Sequence, residues 1–153
     1  IVTDCPQRDE RQGWLGDRAM ETKGEAFIFR NAPLYLKWLQ DINDAQRPNG
    51  SIPDVAPTYW NVYNDDVTWP SAFIIIPYVM YQQFGDKEVI RRNYEAMKKW
   101  IDLMVSYTDP LTGLISKDAY GDWCVPPENL EMIWTNDPKR KTASHLLATA
   151  YMH

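Results

Sequence analysis

The stretch Trp69-Pro70-Ser71-Ala72-Phe73-Ile74-Ile75-Ile76-Pro77-Tyr78-Val79-Met80-Tyr81-Gln82-Gln83-Phe84-Gly85 (WPSAFIIIPYVMYQQFG) admits two readings, and the choice between them settles the fold class. Four consecutive large apolar residues, Phe73 to Ile76, suit a strand buried on both faces of a parallel sheet. The apolar character continues past them, however, and the flanks carry helix signals. Asp66 or Thr68 can open a helix, Pro70 is tolerated in its first turn, and Gly85 suits its end. The segment is therefore predicted to be a helix that is apolar all round, buried on several sides and kinked at Pro77. A buried strand over Phe73–Ile76 remains the competing reading.

The neighbouring segments favour the helix. Downstream, Asp86 is placed to cap a helix on which Ile90, Tyr94, Met97, Ile101 and Met104 recur at spacings of four and three. Upstream, Asn31 is placed to cap a helix running through Pro33 to about Gln46, with Tyr35, Trp38, Leu39, Ile42 and Ala45 on one face. Arg47-Pro48-Asn49-Gly50 stops it. Asp17 to Arg30 is expected to be helical although Gly24 weakens it, and a last helix is expected to open at Asp137-Pro138 or Thr142. No long period-two alternation is present. The expectation is an all-α fold with long loops over 47–66, 108–128 and 129–137, and long ordered loops usually carry function. Apolar and amphipathic helices alternate, as when an inner layer is wrapped by an outer one. The helices are too few to close such a layer, so part of a larger domain is expected.

Composition narrows the partners. Of 153 residues, 44% are hydrophobic, enough for a core, and the net charge of −5 argues against nucleic acid and anionic membranes. Arg91-Arg92 and Lys98-Lys99 have acids nearby and are expected to be solvated helix faces. No segment approaches the roughly 20 apolar residues of a membrane span. No secretory signal is visible, although Ile1 is not an initiator methionine and leaves room for a removed upstream region; a soluble chain of cytoplasm or periplasm is expected, the compartment being open. Cys5 and Cys124 make no disulfide framework. His145 and His153 lack metal-ligand spacing, Asp65-Asp66 lacks the alternating pattern of a calcium loop, and no phosphate-binding glycine loop occurs. No metal or cofactor is expected. Seven tryptophans and nine tyrosines fit either an aromatic core or a sugar-binding cleft.

Chemistry concentrates at Thr3–Asp17, TDCPQRDERQGWLGD. Asp4, Asp9, Glu10 and Asp17 sit in a segment made irregular by Pro6, Gly13 and Gly16. A solvated acidic loop would account for the charge but not for Trp14. Arg8 and Arg11 can hold carboxylates in bidentate geometry, and Gly13 and Gly16 let the backbone pass close to a neighbour. Carboxylates beside an aromatic platform are what a pyranose needs: acceptors for its hydroxyls and flat rings for its C–H faces. Glycoside cleavage needs a protonated acid and a second carboxylate. Repulsion among Asp4, Asp9 and Glu10 would raise one pKa, and the arginines act in the opposite sense.

This stretch resembles the signature of the bacterial α-L-rhamnosidases of glycoside hydrolase family 78, D-C-P-x-R-D-E-R-x-G-W-x-G-D. Asp4, Cys5, Pro6, Arg8, Asp9, Glu10, Arg11, Gly13, Trp14, Gly16 and Asp17 match it. Thr68-Trp69, Pro77 through Gly85, Tyr120-Gly121-Asp122-Trp123-Cys124 and Lys141-Thr142-Ala143 are also similar to that family. Gln12, Leu15 and Pro70 depart from it. The resemblance implies an (α/α)6 barrel that hydrolyses terminal α-L-rhamnosides with inversion, with residues 1–153 as the N-terminal portion of that catalytic domain. By motif position it implies Glu10 as general acid, Asp4, Arg8 and Asp17 as ligands of sugar hydroxyls, and Trp14, Trp69 and Trp123 as pocket walls. Asp66 and Asp122 are weaker ligand candidates. Trp38, Trp60, Trp100 and Trp134 are expected in core or loop packing. The base should come from later in such a domain, so residues 1–153 alone are expected to be inactive. The partners implied are an α-L-rhamnoside and the rest of its own domain. A non-catalytic sugar-binding module, or a helical-barrel glycosidase for another sugar, remains open.

Overall fold

The computed structural model describes residues 9–121 and 141–153. Among them are five helices and no strand: α1 (Leu15–Ile28), α2 (Ala32–Asp44), α3 (Ala72–Phe84), α4 (Lys87–Ser106) and α5 (Ser144–Met152). The all-α reading is the observed one, and Phe73–Ile76 lie within α3 rather than in a strand. That helix continues through Pro77 and packs against α1, α2 and α4. Contact on three sides is why it is apolar all round: Ala72, Phe73, Ile76, Pro77, Val79 and Met80 are buried, and Ile74 and Ile75 half-buried. Gly85 ends it at φ 69°, a left-handed conformation that a residue with a Cβ adopts reluctantly.

Two expectations are corrected in detail. On α4 the buried stripe is Val89, Asn93, Met97, Trp100 and Met104: Met97 and Met104 are buried as expected, whereas Val89, Asn93 and Trp100 take the places read as Ile90, Tyr94 and Ile101, with Tyr94 exposed. Asn93 tolerates burial because its amide donates to Val89 O at 2.7 Å. Asp86 does cap this helix, accepting from the backbone N–H of Glu88 and of Val89. Asn31 stands at the start of α2 but makes no side-chain cap bond. The expected face of α2 is otherwise observed, with Tyr35, Trp38, Leu39 and Ile42 buried. The basic pairs lie on solvated faces, Arg91 and Arg92 with Glu88, and Lys98 with Asp102.

The connection between α2 and α3 is unusual because much of it is buried. Residues 50–56 are all inaccessible, so their backbone groups require partners inside the protein. Ala56 N–H donates to Gly13 O at 3.0 Å, Asp54 N–H to Val62 O at 2.9 Å, and Leu15 N–H to Asp54 O at 2.9 Å. Trp14 and Val55 form an isolated antiparallel bridge. Trp38 on α2 donates its indole N–H to Ala56 O at 2.7 Å. This loop therefore lies beside the entrance to α1 and supplies the acceptor that α1's first N–H otherwise lacks. Across α1 and α2, Arg18 pairs with Glu25 and Tyr35 donates to the same carboxylate; burial, then that bond, pushes Tyr35 up to about 12.

Candidate active site

Of the residues assigned as acid, sugar ligands or pocket walls, Glu10, Trp14, Asp17 and Trp69 fall within the described part, as does the weaker candidate Asp66. Asp4, Arg8 and Trp123 lie outside the described residues, as do Cys5, Asp122, Cys124 and Trp134.

Glu10 sits in a turn immediately before α1 and is half-buried. Its Oε1 accepts from the indole N–H of Trp14 at 3.2 Å, and its backbone oxygen accepts from the buried Gln12 amide at 3.0 Å. The next residue, Arg11, adopts φ 47°. That left-handed conformation costs a non-glycine residue about 1 kcal/mol, a strain typical of segments whose side chains are aimed for function. Trp14 marks the point where the loop becomes helix, and Asp17 stands in the first turn of α1.

From Trp14 an aromatic cluster extends along the surface. Its ring meets Trp60 edge-on at 6.4 Å and Tyr120 edge-on at 5.9 Å. Tyr120 in turn stacks on Trp69, with centroids 4.4 Å apart and planes at 29°. Trp69 is one wall of a cleft of about 390 Å³ also lined by Gly16, Asp17, Met20, Glu21, Thr68, Gly121 and Tyr151. Glu10 and Trp14 are not in the lining of this cleft; they join it through Tyr120. A second cleft of about 360 Å³ shares Gly121 and is lined by Asp118, Tyr120, Lys141, Thr142 and their neighbours.

Gly16 has its neighbour: a Cβ there would lie 2.4 Å from Trp69 Cδ2. The glycine thus allows the indole to seat against α1. Trp69 is fixed from below by Asp66, whose Oδ1 accepts the Trp69 N–H at 2.7 Å and the Thr68 hydroxyl at 2.6 Å. The other oxygen of Asp66 accepts the Ala119 N–H at 2.5 Å. Asp66 is wholly buried, and burial raises its pKa against these hydrogen bonds. It is a brace for the site, and the sequence-based expectation of a sugar ligand there is corrected. Trp60, expected in packing, is 45% exposed and belongs to the aromatic surface. Trp38 and Trp100 are core residues as expected.

Two residues were missed by sequence reasoning. Tyr120 was seen only as part of a similar segment, and Asp54 not at all. Asp54 is fully buried; its Oδ2 accepts from Asn64 Nδ2 at 2.7 Å and from the Tyr120 hydroxyl at 3.0 Å. Burial pushes Asp54 up to about 7, partly offset by the Tyr120 bond, with the Asp66 charge adding to the rise. Burial and the Asp54 charge also raise Tyr120. An aspartate in a buried loop is the only signal that could have drawn attention to it. Among the described residues, no cluster of His, Cys, Asp or Glu suits a metal ion, and no helix is long and apolar enough to cross a membrane.

Comparison with known proteins bears on this arrangement. The model of the bacterial alpha-L-rhamnosidase 6 hairpin glycosidase domain matches residues 1–153. A Formosa agariphila alpha-L-rhamnosidase is 35% identical over 158 aligned positions, covering 99% of this chain and 16% of its own length. The alpha-L-rhamnosidase structure from Dictyoglumus thermophilum superposes with a TM-score of 0.83 at 39% identity, covering 98% of this chain and 16% of that one. The Streptomyces avermitilis alpha-L-rhamnosidase complexed with L-rhamnose gives 0.84 at 33% identity, covering 98% and 13% respectively. The chain thus spans about a sixth or less of the length of each of these relatives.

Proposed function

Since the chain belongs to the bacterial alpha-L-rhamnosidase six-hairpin glycosidase family, we propose that it forms the general-acid side of a site that hydrolyses terminal α-L-rhamnosides with inversion of configuration. On this reading residues 1–153 are the N-terminal portion of a helical-barrel catalytic domain. The rest of that domain supplies the base, roughly 6.5–9.5 Å from the acid, so that a water fits opposite the leaving group. Glu10 protonates the departing oxygen. Asp4, Arg8 and Asp17 bind sugar hydroxyls, and Trp14, Trp69 and Trp123 wall the pocket.

The observation that carries the reading is the fastening of Glu10 to Trp14 at 3.2 Å, at one end of an aromatic cluster whose other end is the Asp17–Trp69 cleft. A carboxyl that accepts from an indole N–H is kept beside the aromatic surface on which a ligand would lie. Indole faces suit the C–H bonds and the C6 methyl of a deoxy-sugar, and carboxylates suit its hydroxyls. The substrate class follows: a rhamnoside-containing glycan or small glycoside, with neither nucleic acid nor membrane as partner.

Glu10→Gln in the full-length enzyme tests the acid role. Loss of general-acid catalysis typically costs 10²–10⁴-fold, so an alkyl or unactivated aryl rhamnoside should lose at least about a hundredfold in kcat. A dinitrophenyl rhamnoside, whose leaving group needs little protonation, should lose much less. Equal, small effects on both substrates would exclude Glu10 as the acid. NMR of the first-formed sugar should show the β-anomer of rhamnose; the α-anomer would overturn inversion.

A further inference from the structure

We propose that Asp54 is a positioning residue of the sugar site, which it serves by holding the hydroxyl of Tyr120 and, through that ring, the seat of Trp69. The inference rests on the rhamnoside reading above and assigns work to a residue that takes no part in the acid chemistry.

Asp54 is tied at three points. Its N–H donates to Val62 O and its carbonyl accepts from Leu15, both at 2.9 Å, so its backbone is fastened to the residue that follows Trp14. Its carboxyl then reaches Tyr120 at 3.0 Å and Asn64 at 2.7 Å, and Asn64 Nδ2 also lies 3.1 Å from the Tyr120 hydroxyl. The same residue therefore links the backbone behind one platform ring, Trp14, to the side chain stacked on the other, Trp69.

The division of labour with Asp66 sharpens the point. Asp66 grips the backbone on both sides of the stack, at Trp69 N and at Ala119 N. Those bonds fix where the two chains run, whereas the contacts of the Tyr120 hydroxyl with Asp54 and Asn64, together with the edge contact to Trp14, act on the ring itself. A stack at 4.4 Å needs both constraints, because an edge-on or displaced tyrosine would let the indole swing into or out of the cleft.

Cost supports function over simple folding. Asp54 Oδ1 is buried and has no hydrogen-bond partner among the described residues. Burying a carboxyl with half its acceptors unmet is unfavourable, and an apolar loop residue with a phenylalanine at 120 would pack without that penalty. Such a group persists where a specific ring orientation is required.

The test uses the full-length enzyme carrying Asp54→Ala, Asp54→Asn, Tyr120→Phe and the Asp54→Ala/Tyr120→Phe pair. With an aryl α-L-rhamnoside, Asp54→Ala and Tyr120→Phe should each raise KM by about tenfold, the scale of one lost charged hydrogen bond, with kcat nearly unchanged. The double variant should be no worse than the worse single one. Asp54→Asn, which keeps an acceptor oxygen, should recover most of the loss. The near-ultraviolet circular dichroism of the Trp69–Tyr120 stack should weaken in Asp54→Ala and return in Asp54→Asn, whatever the substrate. Additive KM effects, or an unchanged KM and dichroism with only a lower Tm, would overturn the inference. A wild-type enzyme inert to rhamnosides would instead sink the rhamnoside reading, and the dichroism would still decide whether Asp54 sets the ring.

Discussion

Replacing Gly16 by alanine should weaken both the fold and the site, against the rule that alanine improves a helix. Gly16 is the second residue of α1, so the exchange should stabilise that helix by up to about 1 kcal/mol. The new methyl, however, would lie 2.4, 2.5 and 2.9 Å from Trp69 Cδ2, Cε2 and Cε3. Comfortable carbon contacts are about 3.5–4 Å, so the indole must retreat by roughly 1 Å. It cannot retreat freely, because the Trp69 backbone N–H is held by Asp66 and the ring is stacked on Tyr120. Overpacking of this kind costs about 1–3 kcal/mol, which exceeds the helical gain, and a net loss of about 1 kcal/mol is expected. Because Trp69 also lines the cleft, KM for a rhamnoside should rise about tenfold, the effect of roughly 1.4 kcal/mol. Gly24→Ala is the internal control: it lies on the same helix with nothing within 4 Å of its would-be Cβ, and should be stabilising with unchanged KM. Urea unfolding and steady-state kinetics on both variants of the full-length enzyme measure the contrast. If Gly16→Ala behaves like Gly24→Ala, the tight seat of Trp69 against α1 is wrong.

Two further expectations concern stability. The native state holds the Asp54 proton more tightly than the unfolded chain, with a pKa of about 7. That contribution is complete below the unfolded value near pH 4 and disappears as the pH rises through about 7. Relative to Asp54→Asn, the wild-type protein should therefore lose stability on the order of 2–3 kcal/mol between pH 5 and pH 8, read from urea midpoints of both proteins at both pH values; parallel behaviour would refute the buried titration. At the start of α4, Asp86→Ala removes a side chain that accepts from two backbone N–H groups, and should cost about 1 kcal/mol with little effect on kcat. No change in unfolding midpoint would mean that the cap is redundant.

Local patterns carried a great deal of this molecule. Helix spans follow from period and punctuation, which are properties of neighbouring residues: the apolar series on α2, Asp86 before α4 and Gly85 after α3 act within one turn of the chain. In the acidic stretch before α1 the contact is also short-range, since Glu10 and Trp14 are four residues apart and meet directly. Packing decided the rest. Which stripe of α4 is buried depended on Asn93 satisfying its own amide, and whether Trp60 is packed or exposed depended on where a long loop ran. Asp54 and Tyr120 stand 66 residues apart, so no spacing rule joins them. Their encounter required a loop buried against α1 and α2, whose backbone partners exist only once the helices have assembled. Period and capping are short-range forces written in adjacent residues; the shape of the site depends on contacts between segments distant in the chain, and those are made by the tertiary fold.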